Sequence, residues 1–392
     1  MRTIGVVTGG RADYGILLPV LRAIQREPAL ALRLYVTGMH LAAEYGNTVQ
    51  QIEADGIPIA ERVPIGLTSD TPAGIAHSMA LALAGFGKLF ERAQPDILLV
   101  LGDRFEVLAA AAAATPFTIP IAHIGGGQIT EGAIDDAMRH AITKLSHLHF
   151  VATAPDRDRV LQMGEQPWRV HLTGDPGLDH LHTLTFLSRA ELERLIGLEL
   201  LPAPLLVTFH PETLDYANTS LHVAELLAAL ENSERPIVFT APNADTSGRT
   251  VRSAIEAFVA AHPRSKLVPS LGTQAYLSLM KLAAAMVGNS SSGIIEAASF
   301  ELPVVDIGDR QRGRIHGKNV IHAAAMRSAI FAAIAKVLAL GFRAALKGMR
   351  NPYGDGDSAE KIARVLLTAT AGRDLLIKSF ADLPTTAREA AR

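Results

Sequence analysis

Residues 96–128, DILLVLGDRFEVLAAAAAATPFTIPIAHIGGGQ, hold two apolar runs that each lead straight into a polar, glycine-bearing turn. The first run, 97–101, ends in Gly102-Asp103-Arg104, and the second, 119–123, ends in Ile124-Gly125-Gly126-Gly127-Gln128. Each is short and uninterrupted, as a strand covered on both faces reads, and an alanine-rich stretch of helical length separates them. Strand, helix and strand in that order predict a parallel βαβ unit. The residues that follow neighbouring strand ends in such a sheet share one crevice, where α/β proteins bind their ligands. Asp103 at one end, with Glu131, Asp135 and Asp136 shortly after the other, therefore predict carboxylates at a common site. The alternative is that Asp103 caps a helix and the glycines only permit a turn.

The same alternation extends in both directions. Strands are predicted at 4–8, 32–37 and 149–152, with helices over 14–26 and 73–92. The pattern restarts with strands at 205–209, 237–240, 266–268, 285–287 and 304–307. Between the halves, 170–204 carries Gly174, Pro176, Gly177, Pro202 and Pro204 and is predicted to be the linker. The expected fold class is α/β, with two doubly wound Rossmann-like domains, 1–175 and 176–365, facing a central cleft.

Composition narrows the function. A chain of 392 residues exceeds the size at which one core stops growing, and 48% apolar residues suffice for two cores. A formal net charge of −2 gives no electrostatic footprint for nucleic acid or an anionic membrane, so an anionic ligand must be met by local basic residues. The absence of cysteine excludes disulfides, thiolate metal sites and cysteine nucleophiles. No uncharged apolar run reaches the ~18 residues of a membrane span, and the N-terminus reads as a strand, so a cytoplasmic protein is expected.

Four further segments carry chemistry. The first strand ends in Thr8-Gly-Gly-Arg11-Ala-Asp13-Tyr14, which lacks the G-x-G-x-x-G spacing of dinucleotide binding. A glycine turn with Arg11 at a helix start can still receive a phosphate, or can be a tight turn with a surface arginine. Gly288-Asn-Ser290-Ser291-Ser-Gly-Ile-Ile-Glu296 follows a strand and opens a helix, leaving room for a diphosphate, with Glu296 placed to accept ribose hydroxyls. Gly308-Asp-Arg310-Gln-Arg312-Gly-Arg314 offers an anion site or a solvated basic loop. His210, Asn243 and Asp245 sit after two other strands; the imidazole suits phosphate binding, proton transfer or plain structure. No P-loop occurs. The pairs His147/His149 and His180/His182 lack a suitably spaced carboxylate, so no metal is expected. On the helix that Asp135 opens, the i,i+4 pairs Asp135/Arg139 and Asp136/His140 are expected to form.

Taken in order, RADYG at 11–15, TGMHL at 37–41, GDRFE at 102–106, AIDD followed by RH and ITKLSH through His147, HPE at 210–212, PNAD at 242–245, GNSSSGIIE at 288–296, GDRQRGR at 308–314 and NPYGDG at 351–356 resemble the hydrolysing UDP-N-acetylglucosamine 2-epimerases. The resemblance covers nearly the whole chain. It implies a GT-B arrangement with a C-terminal helix, about 366–392, returning to the first domain. It also implies cleavage of UDP-N-acetylglucosamine to UDP and N-acetylmannosamine through 2-acetamidoglucal, for sialic acid biosynthesis, or the same chemistry on UDP- or GDP-N,N'-diacetylbacillosamine for legionaminic acid. In that frame Arg11, His210, Ser290, Ser291 and Arg310 would hold the diphosphate and Asn243 and Glu296 the nucleoside. Asp103 and Asp135 would be the acid/base carboxylates, with Glu131 close by; no cofactor is implied, and a homodimer or homotetramer is. One departure stands out: where many relatives read H-I-E-G-G-E or H-I-H-G-G-E, this chain has Gly125 and Gln128, so a carboxylate often assigned to catalysis is missing. A GT-B glycosyltransferase and a non-catalytic nucleotide-sugar binding protein are the competing readings.

Overall fold

The computed structural model describes residues 1–370 and 372–382. Its first sheet comprises β1 (Arg2–Thr8), β2 (Leu30–Thr37), β3 (Ile59–Val63), β4 (Ile97–Leu101), β5 (Ile121–Ile124), β6 (Leu148–Val151) and β7 (Val170–Leu172), in the order β3-β2-β1-β4-β5-β6-β7. The second comprises β8 (Leu205–Thr208), β9 (Ile237–Thr240), β10 (Ser265–Val268), β11 (Ala285–Gly288), β12 (Val304–Ile307) and β13 (Val320–Ala323), in the order β10-β9-β8-β11-β12-β13. Every pairing is parallel. The winding reverses between β1 and β4 in one sheet and between β8 and β11 in the other. Loops part at such points and leave a crevice. Two sheets of this kind facing one cleft make the GT-B arrangement.

Burial explains the strands. All five residues of β4 are buried, with Leu99 packing on one face beside Val6, Leu17 and Leu21, and Leu98 and Val100 on the other beside Phe86, Phe90 and Ala110. β5 starts two residues later than expected because Pro120 has no N–H to pair; its carbonyl instead accepts from the Leu98 N–H at 2.8 Å. The predicted linker over 170–204 loses its first three residues to β7, the edge of the first sheet.

The helix Pro72–Arg92, which carries Lys88, Glu91 and Arg92, could by length and composition alone cross a membrane. It packs on the first sheet through Phe86, Leu89 and Phe90, and on the helix after β4 through Ile75 and Ala82, which meet Phe105 and Ala109. The returning segment also differs from expectation. Its helix is Ser358–Thr368, followed by a short turn of helix at Arg373–Leu376, and residues 383–392 of the expected helix lie outside the described residues. Ala359, Ile362, Ala363, Leu366 and Leu375 enter the core of the first sheet. Asp179 accepts the Ser358 and Ala359 N–H groups at 3.0 and 2.7 Å, where the helix dipole favours a carboxylate. Arg2 closes the other end by donating to the carbonyls of Leu367 and Ala369 at 3.2 and 2.7 Å.

Candidate active site

On the first domain's side, the loops after β4 and β5 are tied together by His123. Its Nε2 lies 2.7 Å from the Gly102 carbonyl and its Nδ1 3.2 Å from Thr143 Oγ1, and burial depresses its pKa to about 3, so it stays neutral. The three glycines behind it are not equivalent. Gly127 has φ +80°, and a Cβ there would stand 2.2 Å from the Asp156 carbonyl oxygen, so only glycine fits. Gly125 has φ +87°, yet a Cβ there would meet only Gly102, at 4.0 Å. The position where many relatives carry a carboxylate is thus open space beside the β4 turn.

The expected Asp135/Arg139 pair does not form. Arg139, 1% exposed, turns inward to the Asp103 carboxylate and to Asp136 at 3.4 Å, and also donates to the Gln128 carbonyl at 2.9 Å and Thr130 Oγ1 at 3.0 Å. The helix pair Asp136/His140 is present at 3.5 Å. Two adjacent carboxylates consequently differ in character. Burial pushes Asp103 up, but Arg139, Arg314 and Arg310 outweigh it and hold the carboxyl below its ordinary value. Burial and the charges of Asp103 and Asp245 push Asp135 up to about 6.

On the second domain's side, β8 and β11 end side by side. Asn289 brackets the loop after β8: the His210 N–H donates to its Oδ1 at 2.7 Å, and its Nδ2 donates to the His210 carbonyl at 2.9 Å. The Asn243 N–H donates to His210 Nδ1 at 3.3 Å, which leaves the ring proton on Nε2. Burial and the neighbouring Arg310 lower this imidazole to about 3, so it is a neutral N–H donor at physiological pH. Ser290 caps the short Ser291–Ile294 helix by accepting from the Ser292 N–H at 3.3 Å.

The two sides meet across the cleft. Arg104 pairs with Asp245 of the other domain, and Arg11 donates to the Ala241 carbonyl at 2.7 Å. A cavity of about 130 Å³ between the domains is lined by Asp13, Asp103, Asp135 and Arg139 from one and Asn243, Ser291, Arg310 and Arg314 from the other. Of the residues predicted from sequence, Asp103, Asp135, Asn243, Ser291 and Arg310 line this cavity. Arg11 lines a neighbouring space with Tyr45, Arg249 and Pro269, which shares Asn243. His210 is buried among Arg310, Asp245 and Arg11. Glu296 is turned toward Asp175, and burial with that neighbour raises it to about 7. Glu131 does not join them. Its N–H donates to the Arg312 carbonyl at 3.0 Å, and its half-exposed carboxylate pairs with Arg312 Nε at 2.9 Å, outside the cavity.

The family model described as UDP-N-acetylglucosamine 2-epimerase matches residues 22–367. The chain belongs to this epimerase family. A GDP/UDP-N,N'-diacetylbacillosamine 2-epimerase (hydrolyzing) of Campylobacter jejuni is 38% identical over 82% of this chain and 84% of its own length. A UDP-N,N'-diacetylbacillosamine 2-epimerase (hydrolyzing) of Legionella pneumophila is 36% identical over 96% of this chain and 99% of its own. The fold matches the crystal structure of UDP-GlcNAc 2-epimerase from Neisseria meningitidis bound to UDP-GlcNAc, with a TM-score of 0.78 at 20% identity, covering 94% of this chain and 100% of that one.

Within this epimerase, sequence reasoning passed over several cavity residues. Asp13 and Arg104 lie inside the RADYG and GDRFE segments and could have been taken from them, whereas Arg314 belongs to the arginine segment expected to offer an anion site. Helix spacing points Arg139 to Asp135, whereas its guanidinium meets Asp103, because spacing along one helix cannot report a partner in the turn after another strand. Asp175 lines the cavity just after β7 and was hidden inside the expected linker. The histidine pairs are occupied elsewhere: His149 faces Glu165 at 3.0 Å, and His147 Nδ1 accepts the Ile121 N–H at 3.1 Å.

Proposed function

We propose that the chain is a hydrolysing 2-epimerase that splits UDP-N,N'-diacetylbacillosamine into UDP and the free C2-inverted sugar. One observation carries the reaction type: two carboxylates of unlike character face, across one cavity, an arginine and the start of a helix, with a neutral imidazole buried beside that arginine. The substrate choice rests on the two relatives above and on the open space at Gly125, which leaves room for a second acetamido group. In this reading the first domain with the returning segment supplies proton chemistry, and residues 176–365 bind UDP.

The C2 hydrogen of a sugar is only feebly acidic, so stabilising the leaving group must carry much of the barrier. Arg310, the His210 Nε2–H and the Ser291 N-terminal turn would receive the charge that develops on the β-phosphate, with Arg11 and Ser290 beside them. Asn243 and Glu296 would serve the nucleoside. Asp135 is suited to take the C2 proton because its pKa of about 6 allows both forms near neutrality. Asp103, kept anionic by Arg139, favours positive charge developing at C1. The C1–O bond breaks as the C1–C2 double bond forms, and UDP departs; water then adds at C1 and a proton returns to C2 on the other face. Glu131, paired with Arg312, takes no part.

The test is incubation with UDP-N,N'-diacetylbacillosamine and, in parallel, UDP-N-acetylglucosamine, in D2O and without an acceptor. Release of UDP with a C2-deuterated, C2-inverted sugar is expected, faster from the diacetamido substrate. Protium retained at C2 removes the elimination mechanism, and UDP release only with an acceptor makes the protein a glycosyltransferase. The description of the family favours a second reading, UDP-N-acetylglucosamine as substrate, and the ratio of the two rates decides between them.

A further inference from the structure

Inversion at C2 by removal and return of a proton calls for two proton-exchanging groups, one on each face of the sugar. Asp135 supplies one, and Asp103 is bound to Arg139 as an anion. The glycine at 125 leaves the usual third carboxylate vacant, so the second group must come from elsewhere in the cavity wall.

Sheet order points to it. β1, β4 and β5 are neighbours, and the segments that follow them carry Asp13, in the first turn of the helix Arg11–Arg26, Asp103, in the turn after β4, and Asp135, at the start of the helix Asp135–Leu145. β1 and β5 border β4 on its two sides, and the Asp103 charge reaches both Asp13 and Asp135. All three line the one cavity. Asp13 Oδ2 is buried and has no hydrogen-bond partner, an arrangement that is costly for an anion and suited to a protonated carboxyl facing a ligand. We propose that Asp13 is the acid that returns a proton to C2 in the hydration half of the reaction, in place of the carboxylate absent at Gly125. This assignment rests on the epimerase reading above.

The step balances. The Asp13 O–H bond breaks and its proton bonds to C2, while the electron pair of the C1–C2 double bond forms that bond and leaves a cation at C1. Water attacks C1 and sheds a proton to solvent. Asp135, protonated in the first half, loses its proton to solvent, and Asp13 regains one. The charges that face Asp13 come from its own loop and from the β4 turn: Arg104 favours its anion, whereas Glu106 and Asp103 oppose it, and the Gly9 N–H favours it weakly. Burial is the largest influence and lifts the carboxyl to about 7, so that it holds a proton for much of the time at neutral pH.

Asp13→Asn is the test, with UDP binding, UDP release and sugar product followed together. An isosteric neutral amide replaces a group that is itself often neutral, and Arg104 keeps its pairing with Asp245, so the fold should survive. The variant should bind and release UDP but accumulate the unsaturated 2-acetamido sugar, with epimer formation down about 100-fold or more. Supplied with that unsaturated sugar, the unmodified protein should hydrate it, whereas Asp13→Asn should not. Asp13→Glu should restore part of the hydration, and it carries the test should the amide variant be unstable. Epimer formed by Asp13→Asn within about threefold of the unmodified rate overturns the assignment. So does hydration of the unsaturated sugar by Asp13→Asn, or an Asp13→Glu variant that binds UDP but cannot hydrate. An unmodified protein that releases no UDP from either nucleotide sugar overturns the epimerase reading instead, before any variant is made.

Discussion

Asp135 shows what it costs to keep a carboxyl exchangeable near neutral pH. Its pKa rises from 3.8 to about 6 on folding, because it is buried beside Asp103 and Asp245. The native state therefore binds its proton more tightly than the unfolded chain does. The stability this gives is complete below pH 4 and is lost as the pH climbs through 6. Asp135→Asn should accordingly raise stability at pH 8 by on the order of 1–2 kcal/mol, discounted for the residue's partial exposure, and change little at pH 4. Thermal melts at the two pH values measure this, and an equal shift at both would remove Asp135 as the titrating group. His210 behaves oppositely: with a pKa near 3, it should contribute no ionisation to a rate profile between pH 5 and 9. The acids of the site were legible in the sequence because Asp103 stands just past the end of β4 and Asp135 opens the helix that follows β5. Their tuning was not, since Arg139 reaches Asp103 across 36 residues of chain, and no local spacing encodes that contact.

At the level of elements, the interior strands could be read because burial on both faces demands continuous apolar runs. β3, β7 and β13 escaped for the converse reason. They are edge strands, only partly buried, and β3 carries Glu61 and Arg62 in a five-residue span. The triple glycine was read as a turn or part of a site, but its members divide the work. Gly127→Ala should destabilise by about 3 kcal/mol, since it combines a left-handed backbone with a Cβ driven into the Asp156 carbonyl. Gly125→Ala, with no such clash, should cost only about 1–2 kcal/mol. Denaturant titrations of the two variants check the contrast, and equal losses would refute it.

For the whole molecule, the two domains are joined through the site as well as through the linker and the returning helix. Arg104 and Asp245 come from different sheets, and both side chains are less than a tenth exposed. Removing Asp245 leaves the buried Arg104 guanidinium with Glu106, at 3.4 Å, as its remaining ion pair, at a cost of about 2–3 kcal/mol. Asp245→Asn should therefore lower the melting temperature and enlarge the radius of gyration in small-angle X-ray scattering as the cleft opens. An unchanged radius would show that the returning helix alone sets the closure. Glu44 with Arg249, at 2.7 Å, is a second bridge across the cleft, but its exposure makes it the weaker one.

The Arg104–Asp245 pair has one more consequence. In the proposed reaction the lobes part as products leave, and parting them hydrates both members of the pair. Durability and turnover speed are therefore set against each other at a single contact. Selection for heat resistance that tightened this latch would slow that release, whereas selection for speed would loosen it and accept a softer protein.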